Sequence, residues 1–271
     1  MRTFLLMALM TFLLVVIGGM AAGTSGIILA LAVAAVGNFI SYWFSDKMVL
    51  RAYGATPLDE NHRIYRMVAE LVKKENLPMP KVYLIPQDQP NAFATGRNPE
   101  HAAVAVTRGI VERMDENELR GVIGHELGHI KHRDILISTV AATMAGALTS
   151  LGYFRMAGSG RRSSGGGNIL FFLIAMILAP LAASLIRMAI SRAREYKADE
   201  FGAQISGNPQ CLSQALQKLE DTRKIIPLSG NPATSHMFIV HPFSGGGLAT
   251  LFSTHPPTQE RIKKLQEMRI N

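Results

Sequence analysis

The chain has 271 residues, 48% of them hydrophobic, and a mean hydropathy of +0.17, which is high for a soluble protein. A net charge of +8 and a pI of about 9.8 suit nucleic acid or an anionic membrane surface, but no aromatic-plus-basic nucleic-acid module is present, so no nucleic-acid partner is expected. The single cysteine, Cys211, excludes an intramolecular disulfide, and nothing then argues for an oxidising compartment.

The apolar residues fall into four blocks separated by polar sequence. Block one, about residues 3–22, follows Arg2 and ends in small residues from Gly18 to Gly23. A cleaved secretory signal is the rival reading of such a stretch. A second uncharged block follows at about residues 26–44. Each is about twenty residues long, so residues 1–45 are expected to form a transmembrane hairpin turning at Gly23, Thr24 and Ser25. Tyr42 and Trp43 suit the bilayer interface, and Lys47 and Arg51 belong on its cytoplasmic side.

Residues 46–134 read as the first part of a polar domain interrupted by later apolar sequence. Lys81–Ile85 predicts a strand stopped by Pro86, and Asn91–Thr95 and Ala103–Thr107 predict two more. A strand at an exposed sheet edge can pair with an extended peptide backbone. Asn91 is a candidate donor to that backbone or to the developing oxyanion; the plain alternative is a turn residue after Pro90.

Asp115 as N-cap and Glu118 at the capping-box position predict the start of a helix running through Ile130. His125 and His129 are four residues apart and project from one face, one turn apart. That spacing lets both bind one zinc ion, with Glu126 beside them to activate water. Two surface histidines with a chance glutamate are the alternative. The apolar helix argues against it, because unliganded imidazoles and a carboxylate are costly to bury. Gly124 and Gly128 admit another element close by, although both weaken the helix. Zinc still needs a further protein ligand, and position 135, where an extended motif would carry histidine, holds Ile135. His132 is out of register and is expected on the surface or behind the ligands.

Blocks three and four, about residues 135–157 and 169–190, flank a Gly/Ser/Arg linker at 158–167. Residues 135–190 are expected to form a second transmembrane hairpin, with buried core helices as the alternative. Arg161 and Arg162 in the linker oppose the positive-inside tendency. Lys47, Arg51, Lys131 and Arg133 before the hairpin, and Arg187, Arg192, Arg194 and Lys197 after it, favour it. Residues 191–271 then complete the polar domain. There Glu195 and Asp199 are one helical turn apart, so one carboxylate can bind zinc while the other anchors a ligand histidine. A solvated helix with Arg/Glu pairing is the alternative. Thr258–Met268 predicts a last helix, in which Arg261 orients the preceding loop or pairs with an acidic residue.

The segment His125-Glu126-Leu127-Gly128-His129, a following apolar hairpin, and Ser191 to Asp199 resemble the HtpX family of bacterial inner-membrane, heat-shock zinc metalloproteases, related to the CAAX prenyl endopeptidases. Asn91 to Gly96 and Thr254-His255-Pro256-Pro257 extend the resemblance over nearly the whole chain. It implies a mainly α membrane protein: four transmembrane helices plus an α+β zincin-like metalloprotease domain built from two chain segments. It implies one Zn2+ held by His125, His129 and Glu195, with Glu126 as general base and no other cofactor. In that scheme Asp199 holds a ligand histidine in the needed tautomer and His255 donates to the oxyanion. It further implies a multi-pass protein of the inner membrane with its catalytic domain facing the cytoplasm. Misfolded or damaged membrane proteins would be its substrates, and other membrane quality-control proteases its partners. A non-peptidase zinc hydrolase and a membrane scaffold with a closed or vestigial metal site stay open as rivals. A transporter is disfavoured by the near absence of charge within the blocks.

Overall fold

The computed structural model describes residues 2–140, 143, 192–225, 238–240 and 256–270. It opens with α1, Arg2–Ala52, whose backbone leaves helical geometry at Ala22 (φ −146°) and Gly23 (φ 58°). Left-handed φ is strained for side-chain-bearing residues and open to glycine, so the reversal falls where the sequence offers Gly23. The two arms fold back on each other: the Phe4 ring stacks on Tyr42, and Asn38 Nδ2 donates to Thr11 Oγ1 over 2.9 Å. Thr3–Met20 and Ala22–Ala52 are each long and apolar enough to cross a membrane. They carry Phe12, Met20, Ile28, Leu29 and Val36 exposed. Among the described residues these are the two such helices. Residues 135–140 are helical, and Ile137 and Val140 pack on Leu6, Met7 and Met10 of the first arm. The rest of blocks three and four, with the linker, lies outside the described residues.

The second arm runs through the expected boundary at residue 45 and continues to Ala52. Its continuation has a packing cause: Val49 and Leu50 are buried with Ile85, Phe93, Ala103 and Ala105 on one face of the sheet. That sheet has four strands in the order β1-β2-β4-β3. They are β1 (Thr56–Pro57), β2 (Lys81–Ile85), β3 (Ala92–Gly96) and β4 (Ala102–Thr107). β2 and β4 run parallel, while β1 and β3 run antiparallel to their neighbours. Alternate residues face opposite ways along a strand. Val82, Ala92, Ala94, Ala102, Val104 and Val106 therefore face the other side, into the main core.

That core is made of helices. α2 (Arg63–Lys74) buries Ile64, Met67, Val68, Leu71 and Val72, one continuous helical stripe. A short α3 (Arg108–Arg113) leads to α4 (Glu116–Lys131). α4 starts at the expected capping box: Glu118 N–H donates to Asp115, and Asp115 N–H donates to Glu118 Oε2, each at 2.9 Å. Later in the chain come α5 (Arg192–Ser206), α6 (Pro209–Ile225) and α7 (Thr258–Glu267).

Glycines bring α4 and α5 into near backbone contact, as the sequence leads one to expect. A Cβ on Gly128 would lie 3.0 Å from Ala198 Cα, and one on Gly124 would lie 3.0 Å from Gly202 O. Helix interiors weakened by glycine are repaid by this approach, which sets the acidic face of α5 over the histidine face of α4.

Candidate metal centre

His125 and His129 share one face of α4, with their Nε2 atoms 3.2 Å apart. Glu195 of α5 closes on both: its Oε2 is 3.7 Å from His125 Nε2, and its Oε1 is 3.5 Å from His129 Nε2. The three donor atoms lie within 4.8 Å of one another. Ligand atoms about 2.0–2.1 Å from a tetrahedral zinc stand roughly 3.2–3.5 Å from each other, so this cluster fits such an ion. Two imidazoles and one carboxylate are also the donor chemistry that zinc accepts. His125 and Glu195 are almost fully buried, at 1% and 2% exposure, where unliganded polar groups are costly.

Each histidine has an acid behind it. Asp199 Oδ1 is 2.9 Å from His125 Nδ1. Arg261 of α7 grips Asp199 with two hydrogen bonds, Nε to Oδ2 at 2.9 Å and Nη2 to Oδ1 at 2.6 Å. The sequence left Arg261 between orienting a loop and pairing with an acid. It pairs with the acid, and its Nη1 also donates to Ile239 O over 2.8 Å; residues 241–255 of the loop lie outside the described residues. Behind His129 stands Asp134, with Oδ2 3.7 Å from His129 Nδ1 and Oδ1 3.0 Å from Arg194 Nη1.

These surroundings hold like residues in unlike states. Burial lowers His125 to about 4, against the pull of Asp199. Burial also opposes charge on His129, but the Glu195 carboxylate outweighs it and, with Asp134 and Glu126, raises that imidazole to about 9. Asp199 is likewise penalised by burial, yet Arg261 beside it brings it down to about 2.

Glu126 is buried, and its Oε2 accepts the Ala94 N–H over 2.8 Å, which aims the carboxylate along the edge strand β3. Asn91 is 2% exposed and lies just before β3. Its backbone N–H donates to Thr107 Oγ1, and its side-chain oxygen accepts the Ile239 N–H at 3.2 Å. Residue 239 is thus held from both sides, by Asn91 and Arg261. The sequence reading passed over this segment; the signal was an apolar run of four, from Met237 to Val240, inside a polar stretch. It also passed over Asp134. His132 is exposed, with its ring edge on Phe201. His255, His236 and His241 lie outside the described residues.

The comparisons with known proteins agree with this geometry. A family model described as peptidase family M48 matches residues 58–269. Proteins named protease HtpX homolog from Burkholderia thailandensis and Burkholderia ambifaria are each 56% identical over 273 residues, covering 98% of this chain and 96% of theirs. Among solved structures, the crystal structure of S. mikatae Ste24p aligns with a TM-score of 0.54 at 18% identity, over 95% of this chain. The chain spans 62% of that longer protein, and at such identity the likeness speaks for the fold. The family match takes in the histidine helix, the glutamate helix and the last helix together, and the chain belongs to peptidase family M48.

Proposed function

We propose that this membrane-bound metallopeptidase uses one zinc ion, held by His125, His129 and Glu195, to cut misfolded or damaged membrane proteins at the cytoplasmic face of a bacterial inner membrane. The observation that carries the proposal is the convergence of those three donors, at spacings of 3.2–3.7 Å, beside Glu126. Three protein ligands leave zinc an open position, the mark of a catalytic rather than a structural site. Zinc there supplies Lewis acidity to the scissile carbonyl and to the attacking water.

The chain's own residues do the rest. Asp199 accepts from His125 Nδ1, which leaves the Nε2 lone pair for the metal. Glu126 takes a proton from water and passes it to the leaving nitrogen, while the Ala94 N–H fixes one of its oxygens. β3 is an edge strand of the sheet. Thr107 N–H donates to Asn91 O, so Asn91, Phe93 and Thr95 turn their backbone groups towards β4. Ala92, Ala94 and Gly96 therefore turn theirs outwards. That row suits an extended substrate backbone lying beside Glu126. Two of these N–H groups are already engaged, Ala94's by Glu126 at 2.8 Å and Gly96's by Thr139 Oγ1 at 3.4 Å, so pairing would use the Ala92 N–H and the Ala92 and Ala94 carbonyls. Asn91, with its side-chain oxygen on Ile239, would bound this groove. His255 precedes the buried Pro256 and the Arg261-anchored α7, and would donate to the oxyanion.

The test is cleavage of an unfolded protein in detergent by protein purified under chelation, before and after zinc restoration. Glu126→Gln should bind zinc like the parent and lose about 10²–10⁴-fold in rate, the usual weight of a general base. A folded, zinc-loaded parent that cleaves neither soluble nor membrane substrates would overturn the proposal.

A further inference from the structure

We infer that Asp134 is the positioning residue of the second histidine ligand, holding His129 as Asp199 holds His125. The inference rests on the reading of His129 as a zinc ligand. α4 ends in a reversal in which Arg133 N–H donates to Ile130 O at 3.1 Å and Asp134 N–H donates to His129 O at 2.9 Å. Arg133 makes this turn at φ 57°, a left-handed conformation usually left to glycine or asparagine. The turn folds residue 134 back beside residue 129, one helical turn earlier in the chain.

The carboxylate delivered there is 7% exposed. Its Oδ2 has no hydrogen-bond partner among the described residues and faces His129 Nδ1 at 3.7 Å. His129 turns Nε2 towards His125 and Glu195, so Nδ1 is the nitrogen that the metal does not use. An approach of under about 1 Å would bring Oδ2 to hydrogen-bonding distance. A carboxylate on that nitrogen keeps its proton there, fixes the ring plane and raises the donor strength of Nε2. The other oxygen, Oδ1, is bonded to Arg194, the residue before Glu195. One side chain thus registers the second ligand against the helix that carries the third. Helical residues 135–140 follow directly and pack on the membrane hairpin, so the same turn joins the metal site to the membrane segment.

The experiment measures zinc affinity of the full-length protein in detergent by competition with a chromophoric chelator, and records the visible spectrum of the cobalt-substituted form. Asp134→Ser keeps an oxygen at the start of the following helix but is too short to reach His129. Asp134→Asn is isosteric and keeps an acceptor without the charge. We expect Asp134→Ser to weaken zinc binding by about 10–100-fold, the usual weight of such a partner. Asp134→Asn should fall between it and the parent, and both should alter the cobalt bands. Arg194→Met should cost less than Asp134→Ser. Parental affinity and spectrum in a folded Asp134→Ser or Asp134→Asn would overturn the inference. So would an equal loss in Arg194→Met, which would place the effect in the ion pair to α5. A parent that binds no zinc would instead sink the metal-centre reading itself, an outcome distinct from either.

Discussion

His125 and His129 have the same side chain on the same face of the same helix, yet near neutrality one is neutral and the other charged. His129 carries the proton because it stands between Glu195 and Asp134, whereas burial strips His125 of its charge. Zinc cannot bind a protonated imidazole, so metal binding at pH 7 must expel about one proton. Apparent zinc affinity should rise about tenfold per pH unit from pH 7 and level off near the His129 value of about 9. Calorimetry in buffers of different ionisation enthalpy counts that proton directly; zero released protons would refute the assignment. Stability of the zinc-free protein follows with a definite sign. The His129 value is raised above the ordinary 6.5 of a histidine, so its contribution is complete below pH 6.5 and is lost as pH climbs through about 9. At this scale much was legible. A four-residue spacing on a helix translates directly into one face, which is why His125, His129 and the Glu195/Asp199 pair could be read from the chain. Asp134 could not, because its position depends on a left-handed arginine that leaves no mark in composition. Neither could the Asn91–Ile239 bond, which spans 148 residues of sequence.

Among the elements, the decisive contact is helix on helix. The capping box of α4 and three of the four strands are local features, and the sequence announces them within a residue or so. The end of α1 is not local: Asp46, Lys47 and Arg51 look like an exit from lipid, but the helix continues because Val49 and Leu50 find the sheet. Likewise, the glycines of α4 signal close approach without saying to what. Gly121 makes the sharpest case. A Cβ there would lie 2.5 Å from the backbone nitrogen of Leu212 and 2.8 Å from Cys211 C, atoms that cannot swing aside. Alanine gains about 1 kcal/mol over glycine in helix propensity. Forcing extra volume into a packed contact costs about 1–3 kcal/mol, and against rigid backbone the upper part of that range applies. Gly121→Ala should therefore destabilise by about 1–2 kcal/mol net, seen as a lower thermal midpoint of the solubilised protein. A midpoint at or above the parent's would mean that α4 and α6 are free to separate here.

For the molecule as a whole, the question is how the metal site is placed relative to the bilayer. The sequence suggested four spans. Two helices of spanning length are present among the described residues, and of the later expected pair only residues 135–140 and 143 are described. The docking of the first hairpin nevertheless fixes a level. Trp43 is the chain's single tryptophan, 43% exposed, and the Arg97 guanidinium lies 4.5 Å over its ring. Arg97 directly follows β3, whose Ala94 holds Glu126, so Trp43 and the proposed base are linked through one short strand. The Phe39 ring lies against both the indole and Phe44, both phenylalanines are exposed, and Lys47 sits over Phe44. An aromatic cluster ending in cations is what a bilayer interface selects, with rings at the headgroup level and charges in water. If that is where Trp43 sits, the edge strand lies just outside the acyl chains, and a segment leaving the bilayer would meet it first. Trp43 emission reports this without a label. In vesicles, lipids brominated near the headgroup should quench it more than lipids brominated near the chain ends, and aqueous iodide should quench it weakly. Arg97→Ala should change the emission intensity by removing the cation over the ring while leaving the depth profile in place. Strong iodide quenching with no response to brominated lipid would put this end of α1 in water. The active site would then stand away from the membrane, and substrates would have to be fully extracted before they were cut.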